Sequence, residues 1–250
     1  MTRLTGKVAL VTGASRGIGQ AIAKRFAVEG ASVVINYNDS RQEAERLLEE
    51  ISKRGGDGIV VRADVSSPDQ VRAMVAKTIE RFGRVDILVN NAGVLFTDTF
   101  LEAPEEVWDK TIDINLKGAY LCSKAVAPHM LAQKKGKIIN ISSNSGLYHP
   151  SAMRLVEYVV SKAGMNGLTK ALALKLGPYV TVNAVCPGWI KTDMVATVDP
   201  EAERAIIDET PLKRYGTVED VASAAVYLAS DESDFVTGEL HLVAGGRGMH

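Results

Sequence analysis

The sequence predicts a doubly wound α/β fold, in which one mostly parallel seven-stranded sheet carries helices on both faces. Short runs rich in β-branched residues alternate with longer segments of helical periodicity along the whole chain. Parallel strands joined by helices cross over in the right-handed sense, which distributes the helices over both faces. Ligands bind such sheets beyond the carboxyl ends of the strands, so chemistry is expected there.

The predicted strands are short and rich in Val, Ile, Leu and Ala, residues that pack well on a pleated surface. The predicted helices repeat apolar residues at three- and four-residue spacing. The strands are Val8–Val11, Ser32–Ile35, Ile59–Val61, Val85–Val89, Lys137–Ile141, Val180–Val185 and Leu240–Val243, and the helices are Ile18–Val28, Glu43–Ile51, Val71–Phe82, Val107–Gln133, Val156–Leu176 and Val218–Ala229.

Composition favours one globular domain over residues 1–250. Apolar residues make up 46% of the chain and charged residues 24%, and no linker-like run divides it. The segment from Pro187 to Thr217 contains no predicted strand, so it is interpreted as a lid-like excursion over the sheet edge.

Charge and cysteine usage exclude several function classes. The 29 basic and 30 acidic residues give a net charge of -1, which argues against nucleic-acid or membrane partners. Cys122 and Cys186 form no CxxC motif, which favours buried thiols in a reducing compartment. The histidines lack ligand spacing, so no metal site is predicted. Without a signal peptide or a long apolar run, the chain is expected to be soluble and cytoplasmic.

A glycine-rich turn follows the first predicted strand and opens into a helix. Gly13, Gly17 and Gly19 allow positive φ and close backbone approach, while free N–H groups at the helix start attract a pyrophosphate. A tight structural turn is the alternative interpretation.

This G-x-x-x-G-x-G spacing resembles the cofactor loop of the short-chain dehydrogenase/reductase family, and further family motifs follow in order over the whole chain. They are Asp64–Val65 after the third strand, Asn90–Gly93 after the fourth, Asn115, Ser142–Ser143 after the fifth, Tyr158–Lys162 as Y-x-x-x-K, and Pro187–Gly188 after the sixth.

The resemblance implies a Rossmann fold and a nicotinamide-dependent oxidoreductase that interconverts a ketone and a secondary alcohol by direct hydride transfer. Within the family, the stretches Gly6–Gly19 and Leu228–Glu239 are most similar to 3-oxoacyl-[acyl-carrier-protein] reductases. Sugar and polyol dehydrogenases, such as glucose dehydrogenase, share these stretches and remain the alternative. A catalytically silent NADP-binding sensor is a remote alternative, because the expected catalytic residues are intact.

Tyr158 and Lys162 are four residues apart and so share a helix face, where the ammonium is expected to lower the phenol pKa together with a positive nicotinamide. Tyr158 is predicted to donate a proton in reduction and to accept one in oxidation. Ser143 is predicted to hydrogen-bond the substrate oxygen. By resemblance, Lys162 holds the nicotinamide ribose and Asn115 positions a water. Taken alone, these residues would be interpreted as a solvated helix pair, a turn serine and a packing asparagine.

The serine assignment has an alternative. Ser143 lies 15 positions before Tyr158, slightly more than is usual in the family, whereas Ser145 lies 13 positions before it. Ser143 is preferred because it directly ends the predicted strand. The loop from Asn144 to Glu157 is expected to bulge beside the substrate pocket, where it would present Tyr148, His149, Met153, Arg154 and Leu155.

The end of the second strand predicts NADP(H) in preference to NAD(H). A carboxylate there would bind the ribose and repel a 2′-phosphate, but the sequence has Tyr37 and Asn38, and Arg16 is available for the phosphate. Asp39 is the counterargument, and no second arginine follows the strand before Arg41. The predicted cofactor-binding residues are Gly13, Ser15, Arg16, Gly17, Ile18, Gly19, Tyr37, Asn38, Asp64, Val65, Asn91, Ala92, Gly93, Tyr158, Lys162, Pro187, Gly188, Ile190 and Thr192.

Two kinds of protein partner are expected. The helices Val107–Gln133 and Val156–Leu176 are apolar around much of their circumference, and by resemblance they pair with further subunits in a homodimer or homotetramer. An acyl-carrier partner would need basic residues near the active-site entrance, for which Lys134, Lys135 and Lys175 are the candidates.

Overall fold

The computed structural model describes residues 2–97, 100–147, 155–192 and 199–248. Among these residues, the strands are β1 Val8–Val11, β2 Ser32–Tyr37, β3 Gly58–Arg62, β4 Ile87–Asn90, β5 Gly136–Ile141, β6 Val180–Pro187 and β7 Leu240–Val243. All seven are parallel and form one sheet in the order β3-β2-β1-β4-β5-β6-β7. The doubly wound prediction is therefore confirmed.

Eight α-helices connect the strands in the described part of the chain. The segment predicted as one helix, Val107–Gln133, contains a π-helical turn at Asp113–Lys117 between two α-helices. A further helix, Pro200–Glu209, lies within the excursion that follows β6 and was not predicted from the sequence. The helices are α1 Gly17–Val28, α2 Arg41–Lys53, α3 Pro68–Phe82, α4 Glu105–Ile112, α5 Gly118–Gln133, α6 Val156–Leu176, α7 Pro200–Glu209 and α8 Val218–Ala229.

Two apolar cores hold the helices against the sheet. The first core joins α1, α2 and α8 to one face, with Ile22 and Phe26 of α1 fully buried. The second core joins α3, α5 and the end of α6 to the other face, where Met74 and Met130 are buried. Burial of such side chains contributes about 1.5–3 kcal/mol each. The sheet is thus a rigid base for the loops at its carboxyl edge.

The strand order places the topological switch point between β1 and β4. The chain winds from β1 towards β2 and β3 on one side and from β4 towards β7 on the other. Loops diverge at such a point and leave a crevice at the carboxyl ends of the strands. The glycine-rich turn after β1 and the Asn-rich segment after β4 meet in this crevice.

The excursion after β6 is anchored at its base, where Ile190 and Gly216 form an isolated parallel bridge. Residues 193–198 lie outside the described part of the chain. The single-domain organisation and the lid role stay predictions. Within the described residues, no helix combines the length and apolar character needed to cross a membrane. Cys122 and Cys186 are buried free thiols, as predicted.

Candidate active site

The glycine-rich turn follows β1 and is hydrogen-bonded to the ends of the two neighbouring strands, β2 and β4. Thr12 Oγ1 donates to Val89 O and accepts from the backbone N–H groups of Asn91 and Ala92. The Asn91 amide donates to Thr12 O and Gly13 O at 2.9 and 3.0 Å. Asn36 Oδ1 accepts from Gly13 N at 3.1 Å. The predicted residue Asn91 therefore holds the turn in shape.

The geometry of the turn requires its glycines. Gly13 and Gly17 have φ of 60° and 56°, which strains any residue with a Cβ. A Cβ on Gly13 would lie 2.9 Å from Ala92 Cα, and one on Gly19 would lie 2.3 Å from the Asn91 amide nitrogen. Close packing therefore excludes larger residues at these two positions.

The first turn of α1 fits an anionic group. Its N-cap residue, Arg16, makes no capping side-chain hydrogen bond, and no acidic residue lies in the first turn. By contrast, Ser67 caps α3, and Thr217 forms a capping box on α8. The uncapped N–H groups and the positive end of the α1 dipole suit a pyrophosphate. Ser15 is buried in this turn and Ile18 is half-buried.

The residues predicted for the adenosine half lie along the ends of β2 and β3. Tyr37 is 8% exposed, and its side chain packs in the first core. Asn38 is exposed, and its amide donates to the Asp39 carboxylate at 3.1 Å. Asp64 Oδ1 accepts from the backbone and hydroxyl of Ser66. Val65 is buried against Gly118, which has no room for a Cβ.

Ser143, Tyr158 and Lys162 come together at the carboxyl end of β5. Ser143 follows the strand and is 7% exposed, and its hydroxyl accepts from Ser145 N at 3.0 Å. Lys162 is buried, donates from Nζ to Ile141 O at 2.8 Å, and places Nζ 5.5 Å from the centroid of the Tyr158 ring. The structure thus joins the three residues expected to act together.

The pKa of Tyr158 is shifted in the direction opposite to the expected one. Burial raises the pKa of Tyr158, and a hydrogen bond with the Ser143 side chain lowers it only in part. Burial also lowers the pKa of Lys162, to about 8. Lys162 and a positive nicotinamide together were expected to lower the phenol pKa; in the protein alone the pKa is raised, because desolvation of the buried phenol dominates.

Asn115 lies in the π-helical turn between α4 and α5 and is fully buried. Its side chain accepts from Val94 N and donates to Val94 O, at 2.8 and 3.0 Å. It also lies 3.1 Å from Ser161 Oγ. The amide thus links the segment after Gly93 to α6, the helix that carries Tyr158 and Lys162. π-Helical turns are frequent at functional sites.

A turn that was not predicted, Asn144–Gly146, fastens Ser143 to α6. Ser142 Oγ donates to Asn166 Oδ1 at 2.7 Å, and the Asn166 amide donates to Gly146 O at 2.9 Å. A Cβ on Gly146 would lie 2.5 Å from the carbonyl carbon of Lys162. Backbone contact and two hydrogen bonds therefore set the position of Ser143 relative to the helix.

The segment after β6 closes the other side of the crevice. Pro187 ends the strand, and Gly188 lies so close to β7 that a Cβ would approach Ala244 Cα to 2.9 Å. Ile190 is buried in the first core. Thr192 is half-buried, and its Cγ2 would lie 3.9 Å from a Cβ on Gly17. Thr192 thus faces the glycine-rich turn from across the crevice.

The lysines expected near an acyl-carrier entrance lie elsewhere. Lys134 and Lys135 precede the amino end of β5, about 20 Å from its carboxyl end at 3.3 Å per residue. Lys135 also pairs with Asp231 at 3.0 Å. Lys175 lies at the far end of α6 from Tyr158, about 26 Å away by helix rise. The assignment of these lysines to the entrance is wrong, because β5 separates Lys134 and Lys135 from the site and α6 carries Lys175 away from it.

Part of the expected bulge lies outside the described residues. Tyr148, His149, Met153 and Arg154 fall in residues 148–154, whereas Leu155 is half-buried directly before α6. Sequence reasoning also missed four residues that position the site. Thr12 and Asn36 could have been noticed as polar residues at the ends of apolar strands, and Asn166 as a polar residue on the helix that carries Tyr158. Gly146 could have been noticed only as a glycine shortly after a strand end.

Similarity to known proteins extends over the whole chain. A family profile described as "Enoyl-(Acyl carrier protein) reductase" matches residues 13–248. The 3-oxoacyl-[acyl-carrier-protein] reductase FabG of Staphylococcus aureus strain Mu50 is 42% identical over 97% of this chain and 98% of its own length. The 3-oxoacyl-[acyl-carrier-protein] reductase of a Synechocystis species is 44% identical, with 100% of both chains covered.

Solved structures agree with the same grouping. A gluconate 5-dehydrogenase from Burkholderia cenocepacia, in complex with NADP and tartrate, is 34% identical with a TM-score of 0.92 over 98% of this chain and 96% of that one. A short-chain dehydrogenase from the same organism, in complex with NADP, is 36% identical with a TM-score of 0.91 over 98% of each chain. By its sequence, its fold and the order of its motifs, the chain belongs to the short-chain dehydrogenase/reductase family.

Proposed function

We propose that the protein is an NADP(H)-dependent oxidoreductase that reduces a 3-oxoacyl thioester to the 3-hydroxyacyl product. The juxtaposition of Ser143, Tyr158 and Lys162 at the end of β5 carries this proposal. A nicotinamide cofactor supplies the hydride when bound.

The proposed chemistry assigns one task to each of the three residues. The phenol of Tyr158, kept protonated by its raised pKa, donates a proton to the carbonyl oxygen during reduction and accepts it back during oxidation. The hydroxyl of Ser143 donates a hydrogen bond to the same oxygen and stabilises its developing negative charge. Lys162 holds its ammonium beneath the phenol and would contact the ribose of the cofactor.

Asn115 is proposed to act through position. Because its side chain is engaged with Val94 and Ser161, it orders the segment beside α6. By family resemblance it would also position a water that connects Lys162 with solvent. The uncapped start of α1 and the tightly packed Gly13 and Gly19 would hold the pyrophosphate.

The choice of NADP(H) is supported by charge. No carboxylate ends β2 at Tyr37, and the Asp39 carboxylate accepts a hydrogen bond from Asn38. Two of the solved relatives were obtained with NADP. Arg16 at the start of α1 is exposed and would contact a 2′-phosphate.

The acyl substrate is favoured by the names of the full-length relatives. Those with 42% and 44% identity are named 3-oxoacyl-[acyl-carrier-protein] reductases.

A sugar-acid or polyol dehydrogenase is the second candidate, favoured by the gluconate 5-dehydrogenase among the solved relatives. Rates of NADPH oxidation with a 3-oxoacyl thioester, compared with rates of NADP⁺ reduction with gluconate and glucose, distinguish the two. A faster rate with the thioester supports the first proposal, whereas activity confined to gluconate or glucose supports the second.

The protein is also proposed to form a homotetramer or homodimer in the cytoplasm, where its buried thiols stay reduced. Small and apolar residues line one exposed face of α6 at three- and four-residue spacing, as a helix-pairing surface would require. A monomeric mass in light scattering at micromolar concentration would reject the assembly. The exposed residues of this face are Val160, Ala163, Gly167, Ala171 and Leu174.

A further inference from the structure

The cationic residues around the end of β2 are not equivalent. Arg41 follows Asp39 along the chain, but its guanidinium pairs with Glu45 on its own helix at 2.7 Å. Arg62 comes from the neighbouring strand β3 and lies far from β2 in sequence. Its register partner in the parallel pairing is Tyr37, so the two Cα atoms lie about 4.8 Å apart.

Arg62 is oriented by a hydrogen bond to the end of β2. Its Nε donates to the backbone carbonyl of Asn38 at 3.1 Å. This contact engages one edge of the guanidinium and leaves its terminal NH₂ groups as further donors. The side chain is exposed, and within the described residues no carboxylate forms an ion pair with it.

The alternation of β3 places Arg62 on the same face as the glycine-rich turn. Val60 packs against the first core and Val61 belongs to the second. Side chains alternate along a strand, so Arg62 returns to the face that carries α1 and α2. Arg16, at the start of α1, lies on that face as well.

The nearby acidic groups are already hydrogen-bonded. Asp39 accepts from Asn38, and Asp64 accepts from Ser66. Arg16 and Arg62 are thus two guanidinium groups near the end of β2 that form no ion pair within the described residues. The strand itself ends in a buried tyrosine, Tyr37, where a carboxylate would repel a phosphate.

We infer that Arg62 is a second cationic contact for the 2′-phosphate of NADP(H), opposite Arg16, and that Arg41 is not. The inference rests on the proposed preference for NADP(H). Guanidinium groups bind phosphate through paired, charge-assisted hydrogen bonds. Because the Arg62 guanidinium is already hydrogen-bonded to the Asn38 carbonyl, its side chain loses less conformational freedom when it binds the phosphate. Arg62 belongs to β3 and reaches the end of β2 only because the two strands pair in parallel. The residues that follow β2 in the sequence therefore do not reveal it.

Binding, measured without turnover, tests the inference. Dissociation constants for NADP⁺, NAD⁺ and adenosine 2′,5′-bisphosphate are determined by calorimetry for the wild type, Arg62→Gln, Arg62→Lys and the matched control Arg41→Gln. Arg62→Gln is expected to weaken binding of NADP⁺ and the bisphosphate roughly tenfold or more and to leave NAD⁺ within about twofold. Arg62→Lys keeps a charge without the fork and should fall in between.

Arg41→Gln is expected to change NADP⁺ affinity by less than about twofold. The inference is overturned if Arg62→Gln binds NADP⁺ like the wild type, if it weakens NAD⁺ equally, or if Arg41→Gln causes the larger loss. A wild type that binds NAD⁺ as tightly as NADP⁺ overturns the proposed cofactor preference itself. A wild type that prefers NADP⁺ while Arg62→Gln is neutral overturns only the role of Arg62. Thermal unfolding of each variant establishes that it is folded.

Discussion

Lys162 Nζ lies 5.5 Å from the centroid of the Tyr158 ring, one helical turn along α6, and donates to the carbonyl of Ile141. The cation is thus held beneath the ring by the end of β5, the strand that also leads to Ser143. Because burial still raises the phenol pKa, the protein alone keeps Tyr158 protonated and suited to donate a proton in reduction.

Replacing Tyr158 with Phe removes one oxygen and keeps the ring. We expect kcat to fall at least about 10²-fold, the usual contribution of acid–base catalysis, with cofactor affinity nearly unchanged. Steady-state kinetics and a cofactor titration measure both quantities. Near-normal kcat in this variant would remove Tyr158 from the mechanism.

Ser143→Ala and Ser145→Ala separate the two serine assignments. Ser143 lies at the strand end, where its side chain partly offsets the raised pKa of Tyr158, whereas Ser145 contributes its backbone N–H to the Ser143 hydroxyl. We expect Ser143→Ala to lose about 10²-fold in kcat, the effect of removing one oxyanion donor, and Ser145→Ala to keep wild-type kcat. The reverse order would transfer the role to Ser145.

Gly146→Ala tests the contact between the catalytic turn and α6. The new Cβ would lie 2.5 Å from the carbonyl carbon of Lys162 and 2.7 Å from its oxygen, which are backbone atoms that cannot rotate away. We expect a loss of about 1–3 kcal/mol in the free energy of unfolding, together with reduced kcat, because Ser143 is displaced from Tyr158. Urea unfolding and steady-state kinetics check this, with Ser145→Ala as the control in the same turn. A variant with unchanged stability and kcat would show that the turn does not depend on this close approach.

The buried ammonium of Lys162 should leave a pH signature in stability. Its pKa in the folded protein is about 8, below the ordinary 10.5. Between these values the unfolded chain binds more protons at this lysine, so its contribution to the free energy of unfolding rises with pH. The wild type should therefore gain stability relative to Lys162→Met as pH rises through this window.

Urea unfolding of the cofactor-free proteins at several pH values measures the difference in free energy of unfolding between the wild type and Lys162→Met. The matched control is Lys170→Met, which removes a lysine from an exposed position of the same helix. A wild-type advantage that stays constant or shrinks with rising pH would mean that burial does not lower the pKa of Lys162.

Local patterns predicted the sheet and most helices because each strand and helix carries its own periodicity. The bounds of β1, β7, α6 and α8 agree with the predicted ranges. The helix α7 was missed because it lies in a Pro-containing, charged segment and none of its described side chains is buried. The π-helical turn at Asn115 was also missed, because it depends on tertiary hydrogen bonds with Val94 and Ser161.

Motif spacing likewise brought attention to Ser143, Tyr158 and Lys162, which the structure places together, but it could not reveal contacts between distant segments. Arg62 meets Asn38 only because β2 and β3 pair in parallel, and Asn166 meets Ser142 only because α6 packs across the end of β5. Lys134, Lys135 and Lys175 were misplaced for the same reason, since direction along a strand or helix determines which end of the sheet a residue reaches.

The initial rate of NADPH oxidation with a 3-oxoacyl thioester, followed by the near-ultraviolet absorbance of the dihydronicotinamide, tests the central claim most directly. We predict saturable reduction of the thioester, a higher kcat/KM with NADPH than with NADH, and loss of the rate in Tyr158→Phe. Absence of NADPH oxidation by the folded wild type with the thioester would contradict the proposed reaction, and a higher kcat/KM with NADH would contradict the cofactor assignment.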